Sequence, residues 1–420
     1  MKKSWKSALA LCLALALLMS LCALSLPAGA EEEIAGETPA REPVGSGRSG
    51  DYEYEYYADG SASITGYSGW DAELIIPDTL DGHPVTTIGY QTFYYCKSLT
   101  AVTIPDSVTT IGDWAFDGCE SLTAVTIPDS VTTIGDCAFY ECIALTAVTI
   151  PEGVTTIGEG AFCSCLSLTA VTIPDSVTKI GINPFANCEN LSQITVSPEH
   201  PTLAVIDGVL FEKTSKRLVT YPCAFTAAEY SIPQGIREIG DYAFACCYSL
   251  TSVTIPDSVT VIGDRAFYGC ESLTAVTIPE GVTTIGEMAF SYCTSLTAVT
   301  IPEGVTTIGK MAFYGCTSLT AVTIPDSVTA IGDSAFSFCT SLTAVTIPDS
   351  VTIIGERAFA YCTSLTAVMI PSSVTAIGDD AFDHCPNLTL TITRDSFAVQ
   401  YCKDNGIAYQ YADANDWLLN

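Results

Sequence analysis

Few residues in this 420-residue chain could carry catalysis. There are three histidines, His83, His200 and His384, each within two residues of a proline and none paired with another. No glycine-rich phosphate loop, activated serine or cysteine motif, or paired-histidine metal motif occurs. Cysteine is abundant but ordered: positions 96, 119, 142, 165, 188, 247, 270, 293, 316, 339, 362 and 385 form one column, mostly 23 residues apart. Stacked side chains in such a column run parallel, which is poor bridging geometry, so buried free thiols acting as small apolar groups are expected. Cys137, Cys163, Cys223, Cys246 and Cys402 stand off the column and are better candidates for a disulfide or a reactive thiol. Carboxylates repeat as well. One column runs through Asp106, Asp129, Glu152, Asp175 and Asp257 to Asp349, and a second through Asp113, Asp136, Glu159, Asp241 and Asp264 to Asp379. Asp belongs in turns and acidic edges oppose aggregation, whereas calcium would need a denser carboxylate loop. The sequence therefore predicts no catalytic site, no cofactor and no metal, because the serines and cysteines of the repeats recur with the unit, whereas an active site needs one place unlike the rest.

Those residues are positioned by a repeat rather than by ordinary domains. From Ile104 the Ile-Pro step returns at Ile127, Ile150 and Ile173, then at Ile232, Ile255, Ile278, Ile301, Ile324, Ile347 and Ile370. A longer first copy starts at Ile76. Each unit carries one apolar set, for example Leu122, Val125, Ile127, Val131, Ile134, Ala138, Phe139 and Cys142, which no unit could bury alone. Stacking buries it against the neighbours and makes a solenoid with one uninterrupted interior. Leu122–Ile127 alternates inward Val125 and Ile127 with outward Ala124 and Thr126, the pattern of a half-buried strand. Pro128 ends the ladder and begins a turn, and Val131–Ile134 is a second extended segment. Asp136–Cys142 reads as a single helical or 3₁₀ turn. About twelve turns at strand spacing give a rod roughly 60 Å long.

The flanks differ in composition. Met1-Lys-Lys-Ser-Trp-Lys, an apolar stretch from Ala8 to Leu26 and Pro27-Ala-Gly-Ala30 have the layout of a secretory signal peptide over residues 1–30, with an uncleaved anchor as the alternative. Residues 31–50, rich in Glu, Gly, Pro and Ser, read as a disordered linker. Residues 197–231 interrupt the repeat with Ile206–Phe211 and Arg217–Tyr221, a hairpin-like excursion that also carries a rare basic spot at Lys213, Lys216 and Arg217. The 47 acidic against 16 basic residues, a formal charge of −31, argue against nucleic acid as a partner.

The string Ile-Pro-x-x-Val-x-x-Ile-Gly-x-x-Ala-Phe-x-x-Cys-x-x-Leu-x-x-Val-x-Ile, running from about Ile76 to Ile392, resembles the BspA-type leucine-rich-repeat family of bacterial surface proteins. Residues 51–75 are similar to that family's N-terminal cap and residues 386–420 to its C-terminal cap, enclosing repeats at 76–196 and 232–385. The resemblance implies a mostly β leucine-rich-repeat solenoid, a parallel strand ladder with short 3₁₀ or helical turns. It also implies a secreted or cell-surface protein that adheres to host matrix proteins, host cells or other microbes.

Comparing copies within the chain shows where they differ. Outward strand positions are nearly all Ala and Thr, with Met369 an exception, while variation gathers around Ala-Phe-x-x-Cys. Trp114, Tyr140, Arg265, Tyr268, Tyr292, Tyr314, Phe338, Arg357 and Tyr361, with Met288 and Met311, are the residue types that anchor interfaces. This edge is the expected partner-binding surface of a multivalent protein-binding scaffold. Two other readings are an envelope spacer without a ligand and, more remotely, an ice-like lattice matched to the Ala/Thr face.

Overall fold

The computed structural model describes residues 41–412. The expected signal peptide, the first part of the expected linker and the last eight residues of the expected C-terminal cap lie outside them. From Pro43 onward the described chain forms one unit.

Each regular repeat contributes a strand of two to four residues such as Ala124–Thr126 and one of two residues such as Thr133–Ile134. Both pair in parallel with the same segments of the adjoining turns, in register, as Val102 with Val125 and Ile111 with Ile134. The first ladder buries Val125 and exposes Ala124 and Thr126, as alternation requires. The Ile-Gly step is constant because turns approach closely there. A Cβ added to Gly135 would lie 2.7 Å from the Asp113 nitrogen of the turn before.

The third side of the unit corrects the expected helical turn. Trp114, Phe116 and Gly118 donate their N–H groups to Asp136, Ala138 and Tyr140 of the next turn, at 2.8, 2.8 and 2.9 Å, while i to i+3 bonds such as Cys119 to Phe116 curl the backbone between them. Trp114 and Gly118 are left-handed, with φ of 59° and 66°. That alternation aims every second amide along the rod and prevents a helix from propagating. The result is a third ladder of backbone hydrogen bonds.

Inside, the phenylalanines stack ring on ring. From Phe93 to Phe185 and from Phe244 to Phe382, centroids are 4.8–5.8 Å apart and planes are within 10°. The interior is not one piece as the repeat predicts, because the 197–231 excursion lies across it. Its strands Leu203–Ile206, Val209–Glu212 and Arg217–Thr220 form an antiparallel sheet. Leu203, Leu210 and Val219 join the N-terminal core, while Val209, Phe211, Leu218 and Tyr221 join the C-terminal one. One sheet thus closes two cores. Asn183 fastens the seam, donating to Tyr242 O (2.8 Å) and accepting from Thr220 Oγ1 (2.6 Å) and Phe185 N (3.2 Å).

Both ends are capped. Gly45–Ser49 is a strand paired with Tyr52–Tyr56, so the cap begins inside the stretch expected to be linker. Gly45 and Gly47 look like linker residues, yet a side chain at either would collide with the Tyr56 or Tyr54 ring of the partner strand. The other end carries the helix Phe397–Asn405, which buries Ala398, Tyr401 and Cys402.

Candidate functional site

Two positions in each turn are left-handed, except in the turn of Asn183, where only Asn187 is. One column holds Gln91, Trp114, Cys137, Gly160, Tyr242, Arg265, Met288, Met311, Ser334, Arg357 and Asp380. The other holds Tyr95, Gly118, Glu141, Ser164, Asn187, Cys246, Gly269, Tyr292, Gly315, Phe338, Tyr361 and His384. These contain most of the residues that vary between repeats. Glycine adopts this conformation without strain, and other residues are disfavoured by roughly 1–2 kcal/mol. Not one of the occupants is β-branched, in keeping with that steric rule. Glycine at 118, 160, 269 and 315 shows that the turn closes without a side chain.

Across the C-terminal repeats the side chains at and beside these positions form one ridge. Tyr268, Tyr292, Tyr314, Phe338, Tyr361 and His384 follow one another with centroids 5.5, 5.3, 5.3, 4.4 and 4.4 Å apart. The last three are stacked nearly parallel. Each turn supplies one ring from either of two places. Where the residue after Phe is Tyr268 or Tyr314, the next is glycine; where the ring comes later, as in Tyr292, Phe338 and Tyr361, the residue before it is Ser291, Ser337 or Ala360. Gly315 leaves room for the Tyr292 ring, to which a Cβ there would come as near as 3.0 Å. Phe338 and Arg357 are exposed, and Tyr292, Tyr314 and Tyr361 half-buried. Arg357 is paired with Glu356 (2.6 Å) and Asp380 (3.1 Å). The ridge ends at a cleft of about 560 Å³ between the last repeat and the cap helix, lined by Tyr361, Asp380, His384, Tyr401 and Asn405 among others.

Not every residue expected on this edge reaches solvent. On the position after Phe, where Tyr314 stays half-buried, Tyr140 is 6 % and Tyr268 2 % exposed. Neither offers a contact surface, and burial raises both phenols above their ordinary pKa. Arg265, half-buried, lies over the Tyr242 ring at 5.4 Å. Trp114 packs on Tyr140 at 5.7 Å and stays half-buried, but Cys163 and Ser164 follow in the next turn, so the N-terminal half has no continuous ridge.

The other columns have structural work. Ten column thiols, from Cys119 to Cys385, each donate to the carbonyl of the phenylalanine 26 residues earlier, at 3.0–3.3 Å. Burial pushes these thiols up, Cys316 to about 12 and Cys142 well beyond the ordinary range, which leaves them unreactive as nucleophiles. In the second acidic column Asp113, Asp136, Asp241, Asp264 and Asp333 each accept the amide of the next turn's acidic residue at 2.7–2.8 Å. The carboxylate column thereby caps backbone donors. Among the described residues no group of three or more His, Cys, Asp or Glu side chains is arranged to hold a metal ion.

The histidines are tied into the framework. His200 is fully buried, bonding Pro174 O at 3.0 Å and accepting from Leu203 N at 3.0 Å, and desolvation lowers its pKa. His83 stacks on Tyr56 and bonds Gly60 O, and His384 bonds Asp383 at 2.6 Å. The basic spot on the excursion is partly consumed. Arg217 pairs with Glu212 at 3.3 Å and Lys213 donates to His200 O at 2.5 Å.

A parallel-stranded solenoid with a patterned outer edge and repeats of this kind is a leucine-rich-repeat scaffold. The profile of the BspA type leucine rich repeat region matches residues 86–217, 220–343 and 289–402, and the chain belongs to that family. Among solved structures it is similar to a leucine-rich repeat protein from Eubacterium ventriosum, with 29 % identity and a TM-score of 0.68 over 80 % of this chain and 93 % of that one. A leucine-rich cell surface protein from Faecalibacterium prausnitzii is 36 % identical, with a TM-score of 0.51 over 72 % of this chain and 95 % of that one. The pneumococcal vaccine antigen PcpA shares the fold at 19 % identity and a TM-score of 0.58, over 88 % of this chain and 98 % of that one. No curated protein sequence matches it.

Proposed function

We propose that the chain is an exported, non-catalytic scaffold that binds protein partners at the cell surface through the ridge from Tyr292 to Tyr361 and its C-terminal cleft. One observation carries this reading. Bulky residues occupy left-handed positions where glycine suffices in other copies of the same repeat. Backbone strain retained against a cheaper alternative belongs to working surfaces. Half-exposed rings flanked by Arg357 are the residue types that dominate interface energy. A leader-like N-terminus and a relative described as a cell surface protein support the location. The scaffold would act by many modest contacts along one edge, which sum to avidity where the partner is itself repetitive. Adhesion to host matrix, host cells or other microbes is the form of binding the family suggests.

The test immobilises matrix proteins, mucins and whole bacteria and measures retention of the purified chain. Retention on at least one surface is expected, with a variant in which Tyr292, Tyr314, Phe338 and Tyr361 are all serine losing tenfold or more while keeping the wild-type circular dichroism. Retention nowhere would favour a spacer, and undiminished binding by the folded variant would remove the ridge from the interface.

A further inference from the structure

Two members of the cysteine column stand outside its hydrogen-bond pattern, Cys96 at the start of the rod and Cys247 at the seam. Ten thiols donate to a phenylalanine carbonyl at 3.0–3.3 Å, but Cys247 follows the excursion, where Tyr221 stands in the phenylalanine place. Its Sγ lies 3.9 Å from Tyr221 O and 3.9 Å from Ala245 O, at the outer limit of a sulfur hydrogen bond. It also lies 3.9 Å from Sγ of Cys223. In register, the column position before Cys247 is Ala224, and the thiol has moved one residue back to Cys223. There it is half-buried, held by a bond to Ala245 O at 3.3 Å. The two sulfurs are in van der Waals contact, and an approach of about 2 Å, within reach of a side-chain rotation at Cys223, would bring them to bonding distance.

We propose that Cys223 and Cys247 form a thiol pair that oxidises to an intramolecular disulfide, pinning the exit of the 197–231 excursion to the first regular turn of the C-terminal half. With a small-molecule disulfide as oxidant, Cys223 gives up its proton and attacks one oxidant sulfur, expelling the first small thiol. Cys247 then attacks Sγ of Cys223, losing its own proton and expelling the second. The protein loses two electrons and two protons, and the oxidant is reduced to two thiols. The order follows from access, since Cys223 is half-buried and Cys247 buried. The ten regular column thiols are aimed at carbonyls at 3.0–3.3 Å, whereas Cys247 lacks so close an acceptor and lies against Cys223, so the reaction belongs to the seam. Its product would fix in place the sheet on which both cores close. The inference is independent of the binding role proposed above.

The experiment treats the full chain with oxidised glutathione, alkylates what remains free under denaturing conditions, digests without reduction and maps linked peptides by mass spectrometry. A Cys223–Cys247 peptide is expected in the wild type, accompanied by a rise of several degrees in thermal midpoint that dithiothreitol reverses. Cys223→Ser should fold, lose both the linked peptide and the redox-dependent midpoint, and leave the column thiols to alkylate only after unfolding. Recovery of Cys223 as a stable glutathione adduct, as a free thiol, or linked to Cys163 or Cys246 would overturn the proposal.

Discussion

Asn183→Ala tests whether one side chain couples the two halves of the rod. Asn183 occupies the place of Trp114 or Arg265 in other turns, but Pro184 follows it, and a residue before proline favours extended backbone. The side chain, 4 % exposed, reaches past the excursion to Tyr242 O in the first turn beyond it. Tyr242 O keeps a second donor, Ala245 N, so its loss is partial. Thr220 Oγ1 and Phe185 N lose the acceptor Asn183 Oδ1 in a buried setting, at about 1–3 kcal/mol for each orphaned group. The expected destabilisation is about 3 kcal/mol, concentrated at the seam. Solenoid stability is close to a sum of unit and neighbour terms, so weakening one junction should divide the unfolding transition. Equilibrium urea denaturation followed by circular dichroism should show a lower midpoint and two resolved steps in the variant. Asn190→Ala, which removes an exposed amide bonded to Leu166 O at 2.8 Å, should shift the midpoint much less. Equal effects from the two substitutions, or a single unshifted transition in Asn183→Ala, would refute the coupling.

Asp117 is 4 % exposed, its Oδ1 has no partner among the described residues, and desolvation with the nearby Glu141 charge raises its pKa to about 7. A carboxyl whose folded pKa lies above its unfolded value disfavours the folded state as it ionises, so its contribution falls as pH rises from about 4 to about 7 and is level above. Asp117→Asn should therefore stabilise the protein at pH 8 by up to about 4 kcal/mol relative to pH 4, read from paired urea melts; an equal effect at both pH values would contradict this. Ser334 has φ 55°, so Ser334→Gly should stabilise by roughly 1 kcal/mol and Ser334→Val should destabilise by more than that, measured by thermal melts. The reverse order would remove steric strain as the account of that column.

Much of this architecture could be read directly. The strand ladder follows from the alternation in Leu122–Ile127, the interior from a recurring apolar set, and the thiol column from a constant period. Both caps were visible at their cores, but Gly45–Ser49 was not, since its glycines resemble a linker and their reason is a ring on the partner strand. The third ladder was hidden because the usual sign of left-handed backbone is glycine, and only four of its turns use it; the usable sign was the missing Val, Ile and Thr. Variation around Ala-Phe-x-x-Cys pointed to the right edge. It could not separate Tyr268, which is buried, from Phe338 one place further along, because facing depends on whether the ring sits on the left-handed residue or on the one before it, and the left-handed residue carries no constant side chain. The broken interior was illegible for a related reason: alternating apolar residues in 203–220 look like one-sided strands until both faces are found covered.

The ring-and-gap pattern of the ridge constrains how the rod can grow or shrink. Turns from Ile255 to Met369 share the same interior and hydrogen-bond register, so deleting or duplicating any of them would leave the backbone ladders intact. The outer edge would not be so forgiving. Excising residues 278–300, for instance, would set Tyr268 directly beneath Tyr314, two rings from the same inner position with Gly269 and Gly315 aligned beside them. The ridge would gain a groove where it now has a crest. Changes in turn number therefore leave the ladders in place but rewrite the relief of the outer edge, so under the binding role proposed above the count of turns, as much as any point substitution, would alter what is bound.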